Sequence, residues 1–127
     1  MASSNPVMEH RITWSNSILI DQIIDGSKTA TAWHIESALG LDAYNTPLYV
    51  GCIYTVYNSE HTPRCKIRIT GVDLARWGNI PERVWREDPA ISGEVSLAAF
   101  IGDHYDFFNQ PDESFEFLAI YIVRVEP

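Results

Sequence analysis

Gly26-Ser27-Lys28-Thr29-Ala30-Thr31-Ala32-Trp33 is the stretch that decides how this chain folds. Ahead of it, Ser15-Asn16-Ser17 is a cluster of helix-capping residues. Ile18, Leu19, Ile20, Ile23 and Ile24 follow at helical spacing, with Asp21 and Asp25 on the opposite side. That pattern predicts a helix of about two to three turns, stopped by Gly26. Beyond the glycine the chain alternates. Lys28, Ala30 and Ala32 fall on one face of a strand, and Thr29, Thr31 and Trp33 on the other. The small alanines predict a face that another element approaches closely. Arg11 to Trp14 is a short β-prone run, so the chain opens strand, helix, strand.

Working outward, His34 to Leu48 carries little periodicity, and Ala38 to Pro47 reads as a loop or short helix and turn, long enough to act as a flap. Tyr49 to Tyr57 is expected as a strand, Asn58 to Pro63 as a polar turn, and Arg64 to Val72 as the returning strand. In the latter, Cys65, Ile67 and Ile69 alternate with Arg64, Lys66, Arg68 and Thr70, an antiparallel hairpin with one wet face. Pro81 opens a short helix to Glu87, broken by Asp88-Pro89. After Ser92-Gly93 a second helix runs to about Phe108, with Leu97, Phe100, Ile101, His104 and Phe108 on one stripe. The final strand, Phe115 to Val125, places Phe115, Phe117, Ala119, Tyr121, Val123 and Val125 on one face. The whole predicts an α+β fold: a small mixed barrel of about five to six strands with three helices packed around its ends. Residues 1–10 read as a loose lead-in to a single domain over 11–127.

The 127 residues carry 46% hydrophobic and 20% charged side chains, the balance of a folded globule. No stretch is apolar enough to span a membrane, and the first ten residues lack the pattern of a signal peptide. A cytoplasmic protein is expected. Cys52 and Cys65 sit in apolar strand patterns and read as reduced, buried thiols; their spacing gives no metal signature, and no cofactor is expected. The net charge of -8 argues against extended contact with a phosphate backbone and for a small ligand or one or two nucleotides.

The ordered set of elements resembles the ASCH domain, a PUA-like barrel. Gly26-Ser27-Lys28-Thr29-Ala30-Thr31 is similar to its Gly-x-Lys-Thr-x-Thr signature. Val50-Gly51 resembles the opening of its central strand, Pro63 to Val72 the strand that follows, and Gly93 to Phe108 its late helix. The resemblance covers nearly the whole chain from Arg11. One bacterial branch of that family hydrolyses N4-acetylcytidine to cytidine and acetate without a metal, using a Lys, a Thr and a distant Glu. Carried over, these imply Lys28, Thr31 and Glu94, with Glu87 competing for the carboxylate role. Beside these, Thr29, Trp33, Tyr44 and Arg68 are candidate substrate contacts. Other branches act on or bind RNA. The Arg that follows the motif in the acetylcytidine branch is replaced here around Trp33-His34.

The chemistry is coherent in itself. Amide hydrolysis needs a nucleophile, a base and an acid for the leaving amine. Thr31 supplies a hydroxyl, Lys28 a base if its pKa is lowered, and Glu94 an acid. Each residue also has an ordinary reading. A Lys after a helix C-terminus suits the last carbonyls, and an acid in a helix's first turn suits the dipole. Thr29 and Thr31 are good strand formers. His104 fits a core, Trp33, Tyr44 and Trp85 fit packing, and Arg64, Lys66 and Arg68 fit a solvated strand face. One geometric condition is strict. Lys28 and Thr31 point to opposite faces of an ideal strand, so they converge only if the strand bulges or begins after Lys28. The expected partner is a small nucleoside, with short single-stranded RNA as the other ligand class, and the expected state is a monomer or weak dimer.

Overall fold

Asn16 caps the first helix as its sequence demands: its side chain accepts a hydrogen bond from the Ile18 amide. The helix, α1 (Ser17–Asp25), buries Ile20 and Ile23 and ends at Gly26, which takes a left-handed φ of 88°. A computed structural model describes residues 9–39 and 46–125 of the chain. The other elements are β1 (Arg11–Thr13), β2 (Ala30–Trp33), a 3-10 helix (Ile35–Leu39), β3 (Ile53–Tyr57), β4 (Pro63–Arg76), α2 (Glu82–Glu87), α3 (Leu97–His104) and β5 (Glu116–Val125). Among the described residues no helix is long and apolar enough to cross a membrane.

The five strands form one mixed sheet in the order β1-β3-β4-β5-β2. Its β1–β3 pair is parallel and the others are antiparallel. The long strand β4 organises it, pairing with β3 through its first half and with β5 from Lys66 to Arg76. Its register slips between Ile69 and Gly71. The extra residue exchanges the faces: Ile67 and Ile69 point to the α1 side, and beyond the bulge Val72 does so while Ala75 points to the other. Simple alternation along β4 therefore holds only up to Thr70.

Two clusters of buried side chains lie on the two faces. Ile12, Trp14, Tyr54, Val56, Ile120 and Ile122 pack with Ile20 and Ile23 of α1. Ala30, Ala32, Phe117, Ala119 and Tyr121 pack with Val84 of α2 and Phe100 of α3. The alanines of β2 are at most 2% exposed, as the close-approach reading requires. Strand β5 is covered on both sides through its middle. The expected single apolar face therefore covers only part of its core contribution, and Val123 at its far end is 44% exposed. The sheet curls, as a PUA-like half-barrel does, so that its two edges approach. The ring of Trp14, just past β1, lies 5.6 Å from that of Trp33 at the end of β2.

Several expected boundaries move. Residues Tyr49 to Cys52 turn rather than extend, with Gly51 at a φ of 92°, and β3 opens at Ile53. The late helix is shorter than Gly93 to Phe108, because Ser96 caps it by accepting from the Ala99 amide. Glu94 therefore precedes the helix instead of lying in its first turn. The predicted flap falls largely on residues outside the described ones. Cys52 and Cys65 are half-buried and free. The Cys52 carbonyl meets Ile69 while Cys65 stands opposite Val56, so roughly four residues of strand, about 13 Å, separate them and forbid a bridge.

Candidate functional site

Lys28 precedes β2, and this position removes the geometric obstacle of alternation. Its amide donates to the Gln22 carbonyl at 3.0 Å, completing the turn after α1, and the strand begins two residues later. The side chain is free of the strand's pleat and folds inward, leaving the residue 2% exposed. Its ammonium donates to the Ala30 carbonyl at 2.9 Å and to Asp88 Oδ1.

Asp88 ends α2, and the preceding residue joins the same clamp. Glu87 accepts from the Thr29 hydroxyl at 2.9 Å, and its carbonyl accepts from the Thr29 amide at 2.8 Å. The second Glu87 oxygen accepts from Arg83 at 2.9 Å, and that guanidinium lies 3.7 Å above the Tyr121 ring. Consecutive acids therefore grip consecutive residues: Glu87 holds Thr29, and Asp88 holds Lys28. Gln22 of α1 steadies the segment that follows, donating to the Ala90 carbonyl at 2.9 Å.

The other Asp88 oxygen, Oδ2, lies 3.4 Å from His104 Nε2. That separation is at the long end of hydrogen bonding, and Oδ2 has no better-aligned partner among the described residues. His104 Nδ1 lies 2.8 Å from the Phe100 carbonyl, which can only accept, so Nδ1 carries a proton. Burial is the strongest influence on the Asp88 carboxyl and pushes its pKa up. The charge of Lys28 and the contact with His104 act together against it, and the carboxyl titrates below its ordinary 3.8.

This buried chain of groups backs onto a cavity of about 590 Å³ in the seam between the two sheet edges. Trp14, Leu19, Trp33, Ile91 and Phe107 give it apolar walls, and Thr13, Ser15, Asn16, Thr31 and Ser37 line it with polar groups. Glu36 and Asp103 contribute carboxylates, and His104 joins the cavity to the Lys28–Asp88 pair. Thr31 is 4% exposed and opens on this space; its hydroxyl has no hydrogen-bond partner among the described residues. No described Lys or Arg lines the cavity. Nor do the described residues include three His, Cys, Asp or Glu side chains grouped to hold a metal ion.

The expected residues are thus partly assembled. Lys28 and Thr29, just before β2, are held by Asp88 and Glu87, while Thr31 and Trp33, within and at the end of the strand, lie on the cavity wall. Glu94 stands apart, exposed, its carboxylate accepting from the Ser96 hydroxyl at 2.6 Å. The acid that touches Lys28 is Asp88, next to the competing candidate Glu87. Arg68 is exposed on β4 opposite Ile53 and reaches the Gly51 carbonyl at 3.3 Å, away from the cavity lining. Tyr44 lies outside the described residues. In the sequence Asp88 reads as punctuation because Asp-Pro follows a helix, and His104 reads as core because it lies on an apolar stripe. Trp14 carried no signal beyond its place in a β-prone run.

No family model matches the chain, and no curated protein matches it. Solved structures do. An ASCH domain from Lactobacillus crispatus superposes with a TM-score of 0.69 at 21% identity, covering 91% of this chain and 79% of that one. The protein EF3133 from Enterococcus faecalis, of the family DUF984, superposes with a TM-score of 0.68 at 15% identity over 95% of this chain and 82% of that one. At such identities the likeness is one of backbone, and on that ground the chain has the fold of an ASCH domain.

Proposed function

We propose that the seam cavity is the active site of a small hydrolase that removes the acyl group from an acylated pyrimidine nucleoside, N4-acetylcytidine being the reference substrate. The observation that carries this reading is the unpartnered Thr31 hydroxyl on the wall of a tryptophan-lined cavity that His104 also lines, with His104 backed by the buried Asp88–Lys28 pair. Trp14 and Trp33 offer flat surfaces for a base. In the proposed reaction the Thr31 oxygen attacks the acetyl carbon, and its proton passes to His104 Nε2. Asp88 Oδ2, 3.4 Å from that same nitrogen, offsets the charge of the imidazolium so formed, and Lys28 keeps Asp88 ionised and in place. The proton then goes to the departing N4 nitrogen, releasing cytidine. Water, deprotonated by the same imidazole, hydrolyses the acetyl ester of Thr31 to acetate and restores the hydroxyl. Asp88 here takes the acidic position that the motif comparison assigned to Glu94.

An RNA-directed role is the other reading, and the charge distribution counts against it. Arg64, Lys66 and Arg68 lie on β4 and do not line the cavity, and Arg64 is paired with Asp21 at 2.9 Å. The test is release of cytidine from N4-acetylcytidine by the wild type, Thr31→Ala and His104→Gln. Each substitution should lower kcat by about a hundredfold or more while the melting temperature stays near that of the wild type. No turnover by the wild type, or undiminished turnover by Thr31→Ala, ends this reading. Salt-sensitive binding of short single-stranded RNA would favour the other.

A further inference from the structure

Glu36 and Asp103 come to the cavity from different elements, the 3-10 helix after β2 and α3. The Glu36 carboxylate makes no hydrogen bond among the described residues. Asp103 commits one oxygen, Oδ2, to the Ile91 amide at 2.8 Å, which leaves Oδ1. Both open on the same space as Thr31, a residue 4% exposed whose hydroxyl has no hydrogen-bond partner among the described residues. Sites built for phosphate present Arg, Lys or unsatisfied amides at a helix N-terminus. This lining has neither cation. The N-terminus of α1 does reach the cavity through Ser15 and Asn16, but Asn16 already accepts from the amides of Ile18 and Leu19. Its dipole corresponds to about half a positive charge, against two full negative ones. The Lys28 ammonium behind the cavity is matched by Asp88.

We propose that Glu36 and Asp103 determine the specificity of this cavity: they accept hydrogen bonds from the ribose hydroxyls of a nucleoside and repel the corresponding nucleotide. The proposal rests on the reading of the cavity as a nucleoside site, but it concerns binding and is separable from turnover. Like charges placed together across a binding interface weaken it by roughly tenfold or more. Glu36→Gln and Asp103→Asn keep the acceptor oxygens and the side-chain shapes while removing the charges. The amide oxygen introduced by Asp103→Asn can still accept from the Ile91 amide.

The experiment measures dissociation constants for cytidine and cytidine 5′-monophosphate by calorimetry or by quenching of tryptophan fluorescence. The proteins are the wild type and the Glu36→Gln/Asp103→Asn double variant, with turnover of N4-acetylcytidine assayed in parallel. The wild type should bind cytidine roughly tenfold or more tightly than its monophosphate, and the double variant should lose most of that ratio. Equal or tighter binding of the monophosphate by the wild type overturns the proposal, as does an unchanged ratio in the double variant or no binding of either ligand. Selective binding without turnover supports it and sinks the hydrolase reading alone. Turnover without selectivity does the reverse.

Discussion

Replacing Asp88 with Asn keeps the shape of the side chain and removes its charge. Lys28 is then left 2% exposed with an ammonium whose remaining partners are the Ala30 carbonyl and an amide. Opposite charges at a hydrogen-bonding separation of about 2.8 Å attract by about 6 kcal/mol at an effective dielectric constant of about 20. Taking each ion out of water costs several kcal/mol. In the intact pair these terms nearly offset one another. In the single variant the attraction is gone while the desolvation of the ammonium stays, and losses of about 3–5 kcal/mol are typical. A chain of 127 residues unfolds with an entropy of about 0.27 kcal/mol/K, so the melting temperature should fall by roughly 11–19 °C. The assay is urea and thermal unfolding of the wild type, Asp88→Asn, Lys28→Met and the double variant. Each single change should be severe, and the double variant should be no worse than either. A loss under about 1 kcal/mol for Asp88→Asn, or strictly additive losses, would refute the buried ion pair as the cause.

Acid stability follows from the same group. The folded Asp88 titrates below its ordinary 3.8, so its stabilisation is present above that pH and drains away as the pH falls toward the folded value. The urea midpoint should drop below about pH 4 more steeply for the wild type than for Asp88→Asn, and equal slopes would contradict the assignment. At Gly26, φ is 88° and a Cβ would meet nothing within 4 Å, so Gly26→Ala should cost only the left-handed backbone penalty of about 1–2 kcal/mol. A markedly larger loss in denaturant titration would mean that the turn into Lys28 has moved.

The opening strand-helix-strand unit was legible in the sequence because its determinants are local. Asn16 caps, the isoleucines repeat at helical spacing, Gly26 takes a conformation other residues resist, and Ala30 and Ala32 announce a close neighbour. The half-barrel order followed from the same alternation of patterns. The bulge after Ile69 was not legible, because one extra residue in a β-branched strand leaves no mark until its partner strand sets the register. The start of β2 was left between two options, and hydrogen bonds from the Lys28 and Thr29 amides to the carbonyls of Gln22 and Glu87, residues on other elements, decided it in favour of a late start. The carboxylate beside Lys28 was the hardest to read. Asp88 and Lys28 are sixty positions apart, and nothing local separates an acid that ends a helix in solvent from one buried against an ammonium. Lys28, Thr29, Thr31 and, as a competing acid, Glu87 were thus singled out through the motif resemblance, not by local pattern. The pairing of Lys28 with Asp88 and of Thr29 with Glu87, the approach of His104 to Asp88, and the tryptophan-walled seam are products of tertiary packing, which alone sets which distant charges share a low-dielectric interior.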